Sequence, residues 1–467
     1  MGELVITAVA PHPPIIVPGV GGEEAARARA TIESMRRLAQ ALHDARVESI
    51  VLISPHSTLF SDAIAVRGDS PLSGNLKSFG ADVELGFEGD CELASAIVEE
   101  ARRFGSPAHL MEPGRLSSMG SRRQLDHGIT VPMFFLKQAL PSVRLVPVSM
   151  GIGPCEELYA FGMGVAQAAL RAPRRVALVA SGDLSHRLTP DAAAGYSPRG
   201  KVFDEAVVQA LMKADVVPLV ELDGAMAEDA GECGLRSIIM MMGALDGRKA
   251  QCNLLSYEGP FGVGYAVAWF KPGSAGSGET KLRALIEWRK AQISLRRSRE
   301  SSLVSLARRA VESYVVHGRV IDAPTPLPAE MQGKAGVFCS IHNGRMLRGC
   351  IGTIAPMHQS IAEEIISNAI SAATRDGRFD PVTVDEMDDL LYSVDVLSEP
   401  ESISGPEQLD VGKYGVIVRS RGRSGLLLPD LDGVDSVDQQ IQIARRKAGI
   451  DEHEAVKLQR FEVTRYE

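Results

Sequence analysis

Over its first 270 residues the chain alternates short apolar runs with longer stretches of helical periodicity. The runs "ELVITAVA", "ESIVLIS", "RLVPVSM" and "RRVALVASGD" are rich in β-branched residues, and helical segments such as "EEAARARATIESMRRLAQALHDAR" lie among them. This alternation predicts an α/β domain with a largely parallel central sheet. The runs "QCNLLSYEG" and "VGYAVAWF" predict two further strands. Such sheets bind ligands beyond the carboxyl ends of their strands, so the residues that follow each strand are the candidates for function.

A stretch rich in Gly, Ser and Pro, "KPGSAGSGET" at residues 271–280, is the clearest break in composition. It supports no periodic pattern and predicts a linker. The basic, helical stretch "KLRALIEWRKAQISLRRSRE" follows it, either as a connector helix or as the first helix of a second domain. We therefore expect a first domain over residues 1–271, a linker and connector helix over 272–298, and a second domain over 299–467.

The second domain combines helical and strand-like segments. "AGVFCSIHNGRMLRGCIGTI" predicts two strands around an Asn-Gly hairpin turn. "LLYSVDVLS", "YGVIVRS" and a final "KLQRFEVTRYE" predict further strands, whereas "HQSIAEEIISNAISAATRD" and "DSVDQQIQIARRKAGI" predict helices. We expect an α+β domain with a mixed or antiparallel sheet and helices on one side.

Composition excludes several classes of protein. The formal net charge of -9 argues against a general nucleic-acid or anionic-membrane binder. No basic region precedes a long apolar core, and no apolar run approaches the ~20 residues that span a bilayer, so we expect a cytoplasmic protein. The cysteines form no CxxC pair, which argues against a disulfide framework, a structural zinc site or an iron–sulfur cluster. The six are Cys91, Cys155, Cys233, Cys252, Cys339 and Cys350.

Histidines follow three of the predicted strands. His12 lies in "PHPP" after the first strand, His56 in "SPHS" after the second, and His186 with Asp183 in "SGDLSH" after "RRVALVA". A single histidine in a loop is usually only solvated, but three at equivalent ends of one sheet converge in space. The prolines restrict φ and stiffen the loops that hold the imidazoles. The pattern therefore predicts a shared metal or acid–base site.

Two further stretches could complete this site. His127, in "QLDHGITVP", opens a predicted helix whose N–H groups could face a ligand, although a capping turn built on Asp126 explains it equally well. Glu232 and Cys233, in "GECG", open a strongly apolar helix. Glu232 would complete a two-histidine, one-carboxylate iron(II) site, and Cys233 would make a softer site. Glu232 is otherwise explained as a first-turn helix carboxylate.

The motifs "PHPP", "SPHS", "DHG", "GDLSH" and "GYAV", in this order, resemble the class III extradiol dioxygenases of the LigB superfamily and the related Memo proteins. The dioxygenase branch implies ring cleavage of a catechol-type substrate by dioxygen at iron(II). His12, His56 and Glu232 would then be the metal ligands. His186 would be the acid–base group, and His127 would contact substrate or dioxygen.

The Memo branch implies a different third ligand. In that branch a cysteine joins the two histidines, and Cys233 would be that residue here, with Asp183 and His186 in the matching "SGDLSH" stretch. The resemblance covers roughly residues 3–270. Memo-like proteins are not established ring-cleaving enzymes. Zinc hydrolase chemistry on the same ligands is a further alternative, so zinc is considered beside iron.

In the second domain, "LRGCIGTI" places Arg348, Gly349, Cys350 and Gly352 where a strand should pack bulky residues. Glycines weaken a strand unless something approaches its backbone closely. One reading is a ligand or nucleophile site at Cys350, with Arg348 lowering the pKa of the thiol. The other is a bulge with a small buried cysteine.

"LRGCIGTI", "SAATRDGRFDPVTVDEMDDLLYSVDVLSEPESI" and "GLLLPDL" resemble the AMMECR family in order, over roughly residues 300–465. The resemblance implies a two-subdomain α+β fold with "LRGCIG" in a surface groove, and no established reaction. AMMECR-type, Memo/LigB-type and radical SAM proteins often occur as one bacterial and archaeal system, the AmmeMemoRadiSam system. The resemblance therefore implies that a separate radical SAM protein is a partner of this chain.

Two functions follow from the sequence. The first is a non-haem iron(II) extradiol-type dioxygenase with an accessory AMMECR domain. The second is a metal-binding or redox component of a radical SAM system without ring-cleavage activity. For both we expect no nucleic-acid or membrane partner, and a homodimer as the commonest assembly of such proteins.

Overall fold

The computed structural model contains two compact units, Met1–Glu287 and Trp288–Glu467. Within the described part of the chain, no helix is both long and apolar enough to cross a membrane. The described residues are 2–60, 62–111, 124–222, 224–344, 346–431 and 433–467.

The first unit is built on an eight-stranded sheet with the order β6-β3-β7-β2-β8-β1-β10-β9. Strands β7, β2, β8 and β1 run parallel at its centre, and β10 and β9 run antiparallel at one edge. The predicted α/β fold with a largely parallel central sheet is confirmed. The strands, which include the separate hairpin β4–β5, are β1 (Glu3–Ala10), β2 (Ser49–Ser54), β3 (Ile64–Arg67), β4 (Leu72–Asn75), β5 (Glu84–Phe87), β6 (Ala108–Met111), β7 (Arg144–Ser149), β8 (Arg175–Ser181), β9 (Ala250–Glu258) and β10 (Tyr265–Pro272).

Helices cover this sheet, and the inner strands are buried along nearly their whole length, as their continuous apolar runs require. Helices α2 and α4 pack together, as do α3, α5 and α9. The helices described in this unit are α1 (Pro18–Gly21), α2 (Arg29–Asp44), α3 (Cys91–Arg103), α4 (His127–Ala139), α5 (Cys155–Arg171), α6 (Pro198–Lys213), α7 (Val217–Val220), α8 (Gly224–Ala230) and α9 (Leu235–Gly243).

The carboxyl ends of three parallel strands lie side by side. The last residue of β1, Ala10, is the register partner of the last residue of β8, Ser181. Strand β2 pairs with β8 over the same rows. His12, His56 and His186 each follow one of these ends within five residues. The topology therefore brings the three predicted histidine loops to one edge of the sheet.

The Gly- and Ser-rich segment after β10 contains no helix or strand over residues 273–281. It folds back on the first unit, because the Gly273 N–H donates to the Lys249 carbonyl at 2.7 Å and the Gly278 N–H to the Gly247 carbonyl at 3.1 Å. Helix α10 (Leu282–Arg297) follows it. The basic stretch is thus helical, as predicted.

The second unit contains two four-stranded antiparallel sheets, with orders β12-β11-β13-β18 and β14-β17-β15-β16. Helices α11 and α12 pack on the first sheet and α13 on the second, which confirms an α+β fold. The elements are α11 (Ser302–His317), β11 (Val337–Asn343), β12 (Met346–Gly352), α12 (Ile361–Thr374), β13 (Leu390–Leu397), β14 (Glu401–Ile403), β15 (Gly415–Ser420), β16 (Arg423–Leu427), α13 (Val437–Lys447), β17 (Lys457–Phe461) and β18 (Val463–Tyr466).

The predicted final strand is divided between the two sheets. Strand β17 pairs with β15 and β14, whereas β18 pairs with β13. The change of partner occurs at Glu462, whose N–H donates to the Ser398 hydroxyl at 2.9 Å and whose carbonyl accepts from the Ser398 N–H at 2.9 Å. One continuous run thus supplies a strand to each sheet. The sequence predicted a single sheet in this unit, whereas the structure has two.

Candidate metal centre

Three donor side chains meet at the carboxyl edge of the first sheet. The ligand atoms of His12, His56 and Cys233 all lie within 4.8 Å of one another. The two Nε2 atoms of the histidines are 2.9 Å apart, and the Cys233 sulfur is 3.6 Å from Nε2 of His12. These side chains come from loops after β1 and β2 and from the approach to α9, so only the tertiary fold brings them together.

His12 is held rigidly in one tautomer. Its backbone N–H donates to Oδ1 of Asp183 at 2.9 Å, and its Nδ1 is 2.8 Å from the Ser181 hydroxyl. The Ser181 hydroxyl donates its own hydrogen to the Gly128 carbonyl, so its oxygen accepts from Nδ1–H of His12. Nε2 of His12 therefore carries a lone pair directed toward the other two donors, and a hydrogen bond from the second ring nitrogen is what orients metal-binding histidines.

The Cys233 sulfur sits against the loop that follows β8. The Asp183 N–H points at it from 3.3 Å, and the Asp183 carbonyl lies 3.6 Å away. Two glycines allow this approach, because a Cβ on Gly182 would lie 2.2 Å from the Cα of Gly234. The glycines of "SGDLSH" and "GECG" are thus needed for two backbones to cross closely.

Glu232 has a different use from its neighbour. Its Oε2 accepts a hydrogen bond of 2.6 Å from the Leu235 N–H at the first turn of α9. This is the first-turn carboxylate role that the sequence left open. Within the described ranges, the donor cluster contains the sulfur of Cys233 and no oxygen of Glu232.

His127 is the first residue of α4, as the sequence predicted, and its ring stacks on His56 with centroids 4.2 Å apart. The Asp126 side chain makes no capping bond to the helix, since its two oxygens accept from the hydroxyls of Ser54 and Ser57 at 2.6 Å each. Asp126 thus ties the start of α4 to the loop that carries His56. The stack fixes both imidazoles at the mouth of the cluster.

His186 lies beside the sulfur, with Nε2 3.7 Å from Sγ of Cys233. Its backbone N–H donates to the Ala230 carbonyl at 2.9 Å. The preceding Ser185 N–H donates to Oδ1 of the fully buried Asp204 at 2.7 Å. His186 is therefore adjacent to the three donors on a loop anchored at both its backbone and a buried carboxyl.

Burial dominates the electrostatics of the four imidazoles. It lowers the pKa of His12 well below the usual value, with a further contribution from His56. It also lowers the pKa of His56 and His186, and that of His127 to about 4. All four rings are neutral at pH 7, so their lone pairs can bind a metal or accept a proton.

Burial acts on the acidic groups in the opposite direction. It raises the pKa of Asp183 to about 7 and raises the pKa of the Cys233 thiol, which the Asp183 carboxyl beside it raises further. A bound cation would lower the pKa of both groups, because its positive charge stabilises the thiolate and the carboxylate beside it. Asp183 itself lies one layer behind the donor atoms and contacts His12 and Cys233 through its carboxyl and backbone.

The donor set fits a transition metal. Bonds of about 2.0 Å to nitrogen and 2.3 Å to sulfur place neighbouring ligand atoms roughly 3–4 Å apart. The separations of His12 from His56 and from Cys233 are of this size, and all three donors lie within 4.8 Å of one another. Imidazole and thiolate ligands suit iron and zinc, whereas magnesium and calcium prefer oxygen. The metal role of these residues stays a prediction.

Phe79 lies beside this cluster, and no sequence motif indicated it. Its ring centroid is 5.3 Å from that of His127, and 40% of the residue is exposed. It ends a 3-10 turn over Lys77–Phe79 in the connection between β4 and β5. The turn is 48 residues from His127 in the chain, so no local pattern marks it as part of the site.

The "LRGCIG" strand of the second unit has a packing explanation for its glycines. A Cβ on Gly349 would lie 2.2 Å from the Ala372 carbonyl oxygen of α12, and one on Gly352 would lie 2.1 Å from the Phe338 ring. The close approach that the sequence required is thus made by a helix and an aromatic ring of the same unit.

The polar residues of this strand are paired within the unit. Arg348 donates to both oxygens of Glu386, at 2.6 and 3.0 Å. The Cys350 N–H donates to Oδ2 of Asp376 at 2.9 Å, and the Ser340 hydroxyl lies 3.2 Å from the Cys350 sulfur. Because Arg348 is paired with the Glu386 carboxylate, its contacts do not support the proposal that it lowers the pKa of the Cys350 thiol.

Comparison with known proteins identifies both units. Residues 6–268 match the family model of the catalytic LigB subunit of aromatic ring-opening dioxygenase, and residues 304–467 match that of AMMECR1. The protein CA_C1420 of Clostridium acetobutylicum is 39% identical over 459 residues, which cover 98% of this chain and 97% of that protein.

Two further matches each cover part of the chain. A protein of Thermotoga maritima is 48% identical over 170 residues, which cover 36% of this chain and 98% of the relative. The crystal structure of PH0010 from Pyrococcus horikoshii covers 35% of this chain and 88% of its own, with 36% identity and a TM-score of 0.32. With its first unit matched to the LigB model and its second to AMMECR1, the chain belongs to the LigB family and carries an AMMECR1 domain after the LigB domain.

Proposed function

We propose that the protein is a non-haem iron(II) enzyme that oxidises a catechol-type aromatic substrate with dioxygen. One observation carries this proposal: the donors of His12, His56 and Cys233 converge at the sheet edge, with two further neutral imidazoles beside them. Membership of the LigB family supports the reaction class. The activity of that family's namesake, aromatic ring opening, is the model for the chemistry.

His12, His56 and Cys233 would hold the metal, which when bound supplies the electron transfer between a chelated catechol and dioxygen. The chain's own contribution is orientation. Ser181 fixes the tautomer of His12, and the Asp183 N–H stabilises negative charge on the Cys233 sulfur. The donors are thereby preorganised before substrate binds.

His186 is the proposed acid–base group. Because burial keeps its imidazole neutral at pH 7, it can accept the proton of a catechol hydroxyl and later return it to the product. His127, stacked on His56, would contact the substrate or dioxygen. Both histidines thus lie next to a proposed metal ligand, His127 against His56 and His186 against Cys233.

Phe79 would supply an apolar wall for the aromatic ring. Its half-exposed ring beside His127 can pack edge-to-face or offset against a substrate, an arrangement worth about 0.5–1.5 kcal/mol. Replacement of Phe79 by alanine is expected to raise KM for a catechol several-fold with the iron content unchanged. Phe79→Leu, which keeps apolar bulk, should restore part of the affinity.

The decisive experiment is anaerobic reconstitution with iron(II), followed by oxygen uptake with a panel of catechols. We expect oxygen consumption coupled to loss of the catechol. His186→Gln should keep its iron and lose about 10²–10⁴-fold in kcat, the range typical of acid–base groups. Iron-loaded protein that consumes no oxygen with any catechol would overturn the proposal.

The sulfur donor favours a second candidate, a metal-binding redox component of a radical SAM-associated system without ring cleavage. A thiol in place of a carboxylate makes the site softer than a two-histidine, one-carboxylate face. Stable iron binding, no catechol turnover and a complex with the radical SAM protein of the same organism would support this candidate. Zinc in the protein as purified, with hydrolytic activity, would instead favour hydrolase chemistry on the same ligands.

A further inference from the structure

A strongly basic cavity lies in the second unit, at the tip of the β15–β16 hairpin and the start of β17. Its volume is about 470 Å³, and its lining includes Arg419, Arg421, Arg423 and Lys457, together with Ser420 and Ser424, but no acidic residue. We call it the hairpin pocket. The whole chain has a net charge of -9, so this concentration of positive charge does not follow from its composition.

Two of these cations face each other directly. Arg419 and Lys457 are register partners across the antiparallel pair β15–β17, and both are exposed. Like charges opposite one another destabilise a sheet. Within the part of the chain that the structure describes, neither they nor Arg421 forms a salt bridge or a side-chain hydrogen bond. An anion bound between them would remove this repulsion.

Arg423 differs from the other three. It donates to both oxygens of Glu454, at 2.7 and 2.6 Å, and to the Gly449 carbonyl. These bonds neutralise the nearest carboxylate and fix one wall of the pocket. The positive charge of Arg419 and Lys457 is therefore left for a ligand, whereas Arg421 also interacts electrostatically with Glu454.

The turn at the hairpin tip retains an arginine where the backbone disfavours one. Arg421 has φ +47° and Gly422 has φ +80°, the left-handed conformations of a two-residue hairpin loop. Such loops favour Asn-Gly, and an arginine there is strained. Strain of this kind is concentrated at functional sites, which points to a use for the Arg421 side chain.

We propose that the hairpin pocket binds a compact phosphate-bearing ligand. Guanidinium groups bind phosphate oxygens in a bidentate manner, and the cavity falls in the size range of small-molecule sites, about 300–1,000 Å³. Its lining contains no aromatic residue on which a base could stack. The phosphate groups themselves are therefore the recognised element, as in a pyrophosphate moiety.

The test is calorimetric titration of the full chain with inorganic pyrophosphate, and with citrate as a carboxylate of similar charge. We expect Arg419→Gln/Lys457→Gln to weaken pyrophosphate binding at least tenfold. Arg36→Gln/Arg37→Gln, which removes the same charge from the exposed face of α2, should change it less than twofold. Absence of binding by the unmodified chain, equal losses in both double variants, or equal affinity for citrate would overturn the proposal.

A single variant separates binding from folding. Arg421→Asn gives the loop its favoured Asn-Gly pair, so we expect an unchanged or higher Tm together with a threefold or larger rise in Kd for pyrophosphate. Unchanged affinity would contradict a ligand-binding role for this side chain. A lower Tm would contradict the argument that the arginine is held there against the preference of the turn.

Discussion

The carboxyl edge of the first sheet and the "LRGCIG" strand of the second unit carry the same kind of sequence signal, reactive side chains set among glycines or prolines. In the structure these side chains have different surroundings in the two regions. After β1 and β2 the backbone has left the sheet, and His12 and His56 converge on Cys233. In β12 the residues stay in the ladder with β11, and Gly349 is in contact with α12.

The difference shows how position within an element decides the use of a residue. A side chain just beyond a strand end is free of the ladder and can converge with its equivalents on neighbouring parallel strands. A side chain within a strand packs against the neighbours on its own face of the sheet. Glycines are required in both regions, at Gly182 for a crossing of loops and at Gly349 for a helix.

The largest expected effect concerns the first region. Replacement of His12 or His56 by alanine removes a proposed metal ligand, so metal affinity should fall by more than the ~10–100-fold cost of losing a residue that only hydrogen-bonds to a ligand. Metal analysis after reconstitution and desalting measures this. His43→Ala, in an exposed position on α2, is the control and should retain the metal. Undiminished metal in both His12→Ala and His56→Ala would remove these residues from the site.

The next effect concerns the second region. Gly349→Ala would place a Cβ 2.2 Å from the Ala372 carbonyl oxygen, and overpacking of this kind costs about 2–3 kcal/mol. Hydrogen exchange of peptides from residues 288–467 should show the loss of stability. Gly377→Ala is the matched control, since its Cβ would meet nothing within 4 Å. Equal protection in the two variants would show that packing is not the reason for Gly349.

A pH comparison should give a smaller effect for each pH unit, with opposite signs in the two units. Burial raises the pKa of Asp204 to about 7, so the native state binds the extra proton and stability falls as pH rises from about 4 to 7, by at most ~1.4 kcal/mol per unit. The Arg378 guanidinium holds the pKa of Asp376 well below its usual range, so that contribution is lost only as pH falls below about 4.

Variants isolate these two contributions. Asp204→Asn should flatten the fall in the unfolding free energy of the first unit between pH 5 and 7. Asp376→Asn should lower the stability of the second unit at pH 7 and lessen its loss in acid. Hydrogen exchange at a series of pH values measures both. An unchanged slope in Asp204→Asn would contradict a neutral carboxyl behind Ser185.

The smallest effect is expected at Cys350. Its backbone, not its sulfur, makes the bond to Asp376, so Cys350→Ser should alter stability by less than ~1 kcal/mol. Thermal unfolding of the full chain checks this. A loss as large as that of Gly349→Ala would show that the thiol has a structural role that its contacts do not indicate.

Much of the fold and part of the site follow from the sequence. The parallel sheet, the three histidine loops and the start of α4 at His127 depend on local patterns of two to four residues. Family resemblance marked the same positions. These features were predictable because strand ends and helix starts are encoded by neighbouring residues.

The remaining features depend on contacts distant in sequence. Glu232 and Cys233 are adjacent, and which of them faces the histidines depends on the crossing of Gly182 and Gly234, 52 residues apart. Phe79 joins the site through a turn that has no local signature. The division of the last strand at Glu462 involves hydrogen bonds to Ser398, 64 residues earlier in the chain, which no local pattern indicates.

The central claim is that a sulfur, and not the adjacent carboxylate, completes the site with His12 and His56. Cobalt(II) substitution tests it directly, because a thiolate ligand gives a sulfur-to-cobalt charge-transfer absorption and a carboxylate does not. We predict this absorption in the unmodified chain and in Glu232→Gln, whose amide oxygen can still accept from the Leu235 N–H, and its loss in Cys233→Ser. Retention of the absorption in Cys233→Ser, or loss of metal in Glu232→Gln alone, would contradict the account.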